Sequence, residues 1–300
     1  MPDIESLARE AIGELPNPLG LDGIEYIEYS TPRPQALGQL LETLGFRPVA
    51  RHRSREVMLY RQGDMNIVVN ANAGVVKAVA ATETALPRIR ALALRVRDAR
   101  AAYQRALELG AWAVPMHAEV MELNIPGIHG PGGAHLYFVD RYQEFSIYSV
   151  DFVPIPGVDP QPPATAGLHF FGLVQYIGSE RSDDWVAFYG RLFGFQRLPA
   201  DTHFGIMPKG LLLQSPGAPA NRFYLQLIEP DPALLAEDDG SEQFQRIGLG
   251  TRDVPGAVAA WRRQGVEFVE TGAVQISAQG AVTRAALNSA SFELVHDERP

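Results

Sequence analysis

No cysteine occurs among the 300 residues, so disulfides and thiolate nucleophiles are excluded. Chemistry has to come from carboxylates, imidazoles and guanidiniums. Glu25 and Glu28 share one alternating stretch, but their odd spacing sends them to opposite faces of a strand, which does not make a paired-carboxylate site. Gly127-Ile-His-Gly-Pro-Gly-Gly133 is rich in glycine, yet it lacks the following lysine and the strand-to-helix setting of a phosphate loop. Turn geometry accounts for it. His129 and His135 flank that loop, where stabilising the loop is expected of them rather than metal ligation. Nothing in the spacing supports a Ser-His-Asp arrangement.

The bulk properties narrow the partners. A net charge of −9 argues against nucleic acid or an anionic membrane surface, both of which need a basic face. Lys77 and Lys209 are the two lysines, so arginine carries nearly all positive charge. The segment Met1–Glu10 is acidic and amphipathic, unlike the basic-then-apolar layout of a signal peptide, and no apolar run approaches the ~18 residues that span a bilayer. A cytoplasmic protein is expected. With 46% hydrophobic residues, the chain can bury the cores of roughly two domains.

The elements that position any site come from an internal repeat. Leu44-Gly-Phe46 follows one amphipathic stretch, and Phe193-Gly-Phe195 closes another in Trp185–Leu192. Asp98 opens a helical pattern ending at Gly110, and Asp253 opens one of equal length ending at Gly265. Each unit reads as a strand, an Asp-capped helix that ends at glycine, and several short strands. Met65–Asn70 and Phe223–Ile228 show the two-residue alternation of half-buried strands.

Val153–Gly167 holds five prolines and reads as an extended linker. The chain therefore divides into an N-terminal helical segment (1–20), a first domain (21–152), the linker (153–167) and a second domain (168–300). A further loop, Glu229–Glu242, is acidic and reads as mobile.

Asn17–Tyr29, with Asn-Pro-Leu-Gly-Leu-Asp-Gly, and His52–Gly63 resemble the amino-terminal domain of bacterial 4-hydroxyphenylpyruvate dioxygenases. The likeness continues through Met121–Pro126, Gly130–Gly133, Leu136–Arg141 and Ser146–Phe152. Trp185, Phe188-Tyr189, Leu192-Phe193 and Phe195 anchor a weaker similarity in the second half. The resemblance implies an α+β fold of the vicinal-oxygen-chelate superfamily: two domains, each of paired βαβββ units forming an open barrel. It also implies homo-oligomers.

In that family ferrous iron sits on two histidines and a carboxylate. Aligned on the Trp185 helix, the first histidine position falls at Gly172, or at Leu173 with a one-residue gap. The second falls at Arg246, within Phe244-Gln-Arg-Ile-Gly-Leu249, and the carboxylate at Glu293, within Ser291-Phe-Glu-Leu-Val295. His169 and His296 each stand three residues from a ligand position and, on regular strands, point to the opposite face; a bulge would change that for His169. The chain given ends seven residues after Glu293, so the family's closing carboxy-terminal helix is expected to be missing.

A guanidinium at position 246 supplies the positive charge that a metal would bring beside Glu293, and its fork suits a carboxylate of Glu293 or of a ligand. The preferred reading is therefore a protein that binds or transforms a small anionic or aromatic, keto-acid-like molecule without a cofactor. Arg246, Gln226 and Gln245 would bind it, and Glu293 with Arg246 would carry any acid–base step. One alternative is an Fe2+-dependent dioxygenase acting on 4-hydroxyphenylpyruvate or a related 2-oxo acid. Others are a closed Arg–Glu salt bridge in an inert pocket and a non-catalytic binding or interaction protein.

Overall fold

The computed structural model describes residues 17–72, 86–115, 123–143, 145–206, 210–229, 241–271 and 274–299. Residues 1–16 of the expected N-terminal helical segment and 230–240 of the acidic loop lie outside them.

Two open sheets form the molecule, one from each half. The first contains β1 (Leu21–Ser30), β2 (Arg47–His52), β3 (Val57–Gln62), β4 (Met65–Asn70), β5 (Arg88–Val96), β6 (Gly127–His129), β7 (His135–Val139) and β8 (Phe152–Pro154), in the order β6-β7-β5-β1-β4-β3-β2-β8. The second contains β9 (His169–Tyr176), β10 (Gln196–Arg197), β11 (Leu211–Gln214), β12 (Tyr224–Ile228), β13 (Gln243–Thr251), β14 (Gly280–Val282) and β15 (Ser291–His296), in the order β10-β11-β12-β9-β13-β15-β14. Val153 and Pro154, assigned to the linker from their composition, pair with Arg51 and Ala50 as the edge strand β8. An edge tolerates a proline because its missing amide faces no neighbour.

The repeat predicted from sequence is present in the helices α1 (Pro34–Thr43), α2 (Ala99–Glu108), α4 (Ser182–Phe193) and α5 (Val254–Arg263), with a short α3 (Ile147–Asp151) before β8. Asp98 caps α2 by accepting from Ala101 N at 2.8 Å, and Asp253 caps α5 from Gly256 N at 2.9 Å. Gly110 and Gly265 stop those helices with φ of +92° and +89°, which a side chain would resist.

Period-two alternation on β1 divides two cores. Ile27 and Tyr29 face α1, with Leu37 and Leu41, inside one cluster that runs continuously into the second half through Phe193, Trp261 and Phe292. Contacts across the core and at its edge tie the halves together, two of them at buried aromatic rings. Phe138 and Phe193 lie 6.3 Å apart, and the buried Trp261 indole donates to the Leu44 carbonyl at 3.1 Å. Tyr26 points the other way, into a smaller cluster with Leu59, Val68, Ala93 and Val139.

Candidate active site

β13 runs through the centre of the second sheet, antiparallel to β9 and parallel to β15. Its registers align Gly172, Gly248 and Glu293 on one rung and Val174, Arg246 and Ser291 on the next. The positions singled out from sequence thus converge, because residues two apart on a strand share a face. Glu293 is 4% exposed and Arg246 6% exposed. Arg246 Nε donates to Glu293 Oε2 at 3.3 Å, a single long contact and not the bidentate fork. Arg246 Nη2 is buried and meets no acceptor among the described residues. Burial pushes the Glu293 carboxyl above its usual range, and Arg246 only partly offsets this.

Gly172 is fixed by packing. A Cβ there would run into the carbonyl of Tyr224 on the neighbouring β12. Beside this corner lies a narrow cavity of about 30 Å3, lined by Phe171, Val174, His203, Phe204, Leu212, Tyr224, Gln226 and Glu293 among others. Phe204 is wedged against two of its walls, with ring centroids 5.0 Å from Phe171 and 4.6 Å from Tyr224. Gln226 is on the wall. Gln245 does not line the cavity: it is the extra residue of a bulge, since Phe244 pairs Gln175 and Arg246 pairs Val174.

A second bulge corrects the reading of His169. Gly248 pairs Gly172 while Leu249 pairs Phe170, so Phe171 is the extra residue and His169 comes to lie opposite Gly250. A Cβ on Gly250 would stand 2.5 Å from the His169 ring, which places that ring on the Gly248 side of β13. It is nonetheless engaged elsewhere: His169 Nε2 lies 2.9 Å from Asp297 Oδ2, and Arg299 Nε donates to the same oxygen at 2.5 Å. Burial would raise the Asp297 carboxyl, but these partners hold it down at about 2. His296 keeps the opposite parity and meets Glu298 at 3.1 Å. The Asp297–Arg299 cluster, with the Arg299 guanidinium 5.6 Å from the Phe171 ring centre, was not foreseen; the bulge that assembles it leaves no sequence signature.

At the three positions that the resemblance assigns to the ferrous ion, one residue carries a carboxylate, one a guanidinium and one no side chain. These residues do not fit the ion. Among the described residues no group of three or more His, Asp or Glu could hold a metal.

In the first sheet Glu25 and Glu28 have separate partners, Arg95 and Asn70, and a bulge sets the course of Glu25. Ile24 pairs Leu94 and Tyr26 pairs Ala93, so Glu25 bulges and its carboxylate meets Arg95 Nε at 2.6 Å. His129 and His135 pair across β6 and β7 beside the glycine-rich loop, with rings 5.5 Å apart.

Two open sheets built from βαβββ units, with a buried corner at the centre of the second, define a vicinal-oxygen-chelate protein. Residues 15–153 match the family described as hydroxyphenylpyruvate dioxygenase, HPPD, N-terminal. The 4-hydroxyphenylpyruvate dioxygenase of Pseudomonas sp. (strain P.J. 874) is 44% identical over 184 residues, covering 61% of this chain and 51% of that protein. The enzyme of the same name from Pseudomonas aeruginosa is 35% identical over 266 residues, covering 85% and 73%. The chain belongs to the 4-hydroxyphenylpyruvate dioxygenase family. A 3-dehydroshikimate dehydratase from Pseudomonas aeruginosa is 38% identical over 275 residues, 87% of this chain and 42% of that protein. Among solved structures, a xylose isomerase-like TIM barrel/4-hydroxyphenylpyruvate dioxygenase fusion protein superimposes with a TM-score of 0.73 at 23% identity, over 97% of this chain and 53% of the other. The chain thus spans about half the length of several proteins it matches. No helix among the described residues is long and apolar enough to cross a membrane.

Proposed function

We propose that the second sheet binds a small anionic or aromatic, keto-acid-like molecule without a metal ion, with Arg246 holding its carboxylate and Glu293 serving as acid or base. One observation carries this reading: Arg246 Nη2 is buried with no acceptor among the described residues, next to Glu293, which lines an aromatic cavity whose walls do not include Arg246 itself. A buried guanidinium donor left unmatched costs free energy that a ligand carboxylate would recover. Phe171 and Tyr224 offer faces to an aromatic ring, which would take the place now held by Phe204. Gln226 supplies a polar group on the same wall. The elevated Glu293 pKa suits proton transfer near neutral pH better than an ordinary carboxylate would. Calorimetric titration with phenylpyruvate and 4-hydroxyphenylpyruvate tests it: heat with the native protein and none with Arg246→Ala is expected. Absence of heat from the native protein overturns it. Anaerobic reconstitution with ferrous iron tests the dioxygenase alternative, which requires stoichiometric metal.

The match to a 3-dehydroshikimate dehydratase more than twice as long favours a second reading, a non-catalytic companion unit whose surface docks another domain or subunit. Measuring the solution size, alone and with such a domain, separates the two.

A further inference from the structure

Beyond its capping Asp98, α2 carries a polar stripe. Arg100, Tyr103 and Gln104 stand three and four residues apart, so they share one face, while Ala99, Ala102 and Ala106 are buried on another. The equivalent face of α5, counted from Asp253, is Pro255, Val258 and Ala259 and carries no polar group. The fold therefore does not call for those side chains.

The stripe forms one wall of an open groove of about 540 Å3. That volume lies within the roughly 300–1,000 Å3 of small-molecule sites. Its floor is apolar, from Leu123, Ile125, Phe138 and Ile147, with Asn124 and Arg141 at the rim. The floor is held in place: Leu123 N donates to Asp151 Oδ1 at 3.1 Å, and Phe138 N donates to the Pro126 carbonyl at 2.9 Å. Leu123 and Ile125 also pack on the smaller core cluster. Asp140 is the acid among the described lining residues, and its Oδ2 accepts from Ala99 N at 3.0 Å, at the start of α2. Arg100 and Arg141 meet no acceptor among the described residues. An apolar floor under two guanidiniums matches a molecule with a hydrocarbon body and an anionic head. Burying the hydrocarbon supplies most of the binding, and the exposed arginines, each worth little alone, select the head group.

We propose that this groove binds a small amphipathic carboxylate, its chain along Leu123, Ile125 and Phe138 and its carboxylate between Arg100 and Arg141. Arg246 and Glu293, on the other sheet, take no part in it. Octanoate, 1-octanol (the chain without the charge) and acetate (the charge without the chain) are titrated into the full chain by calorimetry. The methyl signals of Ile125 and Ile147 are followed by nuclear magnetic resonance. Octanoate is expected to bind and shift both signals, 1-octanol to bind about tenfold more weakly, and acetate to do neither. Arg100→Ala combined with Arg141→Ala should weaken octanoate by about tenfold, level with 1-octanol, whereas Arg246→Ala should leave its affinity unchanged. Circular dichroism checks the fold of each variant; if the double variant does not fold, the two single variants decide, each with a loss of several-fold. Failure of octanoate to bind, 1-octanol binding as tightly, Ile125 and Ile147 signals that stay in place, or an affinity that follows Arg246 and not Arg100 and Arg141 overturns the proposal.

Discussion

Gly205 stands directly over the carboxylate of Glu293: a Cβ built on it, at a φ of +61°, would come within 2.6 Å of Oε1. The segment around Phe204 therefore closes the cavity by backbone contact as well as by its ring. Gly205→Ala should lower stability by about 1–3 kcal/mol through strain and crowding together. In a Glu293→Ala background the loss should shrink, because only the backbone part remains. Denaturant midpoints of the four proteins in this cycle check it, and additive losses would refute the contact.

Removing one member of the buried Arg246–Glu293 pair leaves the other uncompensated. Arg246→Ala should cost about 3–5 kcal/mol, whereas Arg246→Met combined with Glu293→Leu should lie near neutral. The pH dependence has a definite sign. The folded pKa of Glu293 lies above its unfolded value, so the native state binds the proton more tightly, and stability falls as pH rises from the unfolded pKa through the folded one. Without Arg246 that decline should extend to higher pH. Thermal melts across pH 4–8 read it directly.

A neutral ion pair that accepts an anion becomes net negative in a buried place. Proton uptake by Glu293 relieves this, so binding of a 2-oxo acid should take up as much as about one proton and weaken as pH rises. Titrations in buffers of different ionisation enthalpy measure the uptake. Glu293→Gln should abolish it.

His135 has a folded pKa of about 4 against an ordinary 6.5. Its neutral form is favoured in the native state, so the associated stability is complete above pH 6.5 and is lost as pH falls towards about 4. The ring signals should stay those of a neutral imidazole at pH 5.5, and Arg90→Ala should move the titration upward.

Asp297 carries the opposite assignment among acids. With a folded pKa of about 2 against 3.8, it stabilises the protein above pH 3.8 and loses that contribution as pH falls towards about 2. Asp297→Asn should flatten the acid limb of the stability curve and release the His169 ring, visible as broadened or displaced ring signals in nuclear magnetic resonance.

Much of the architecture was legible because it rests on periodicity and end signals. Asp98 and Asp253 announce helices and Gly110 and Gly265 end them, and the two-residue alternation of Met65–Asn70 marks β4. The corner of Arg246 and Glu293 came from the resemblance, by aligning three strands on the family's ligand motifs, and periodicity alone does not single it out. What stayed hidden was every place where one strand gains a residue on its neighbour. The bulges at Glu25, Arg90, Phe171 and Gln245 each change which face a nearby side chain joins. They redirected Glu25 to Arg95 and His169 to Asp297, and took Gln245 off the cavity wall. A bulge is set by how two strands fit, and one strand's sequence does not record its partner's twist. The Phe204 wedge was invisible for a related reason: loop segments carry no period from which a contact could be inferred.

The carbonyl of Tyr224 beside Gly172 has a consequence for anyone seeking to engineer an iron centre into this sheet. Swapping in one imidazole at that position would first push two hydrogen-bonded strands apart, so the substitution would damage the scaffold before it could supply a ligand. A workable redesign has to reshape β12 in the same step as β9, with a donor in place of Arg246. Strand and side chain have to be redrawn together there, because neither change is useful by itself.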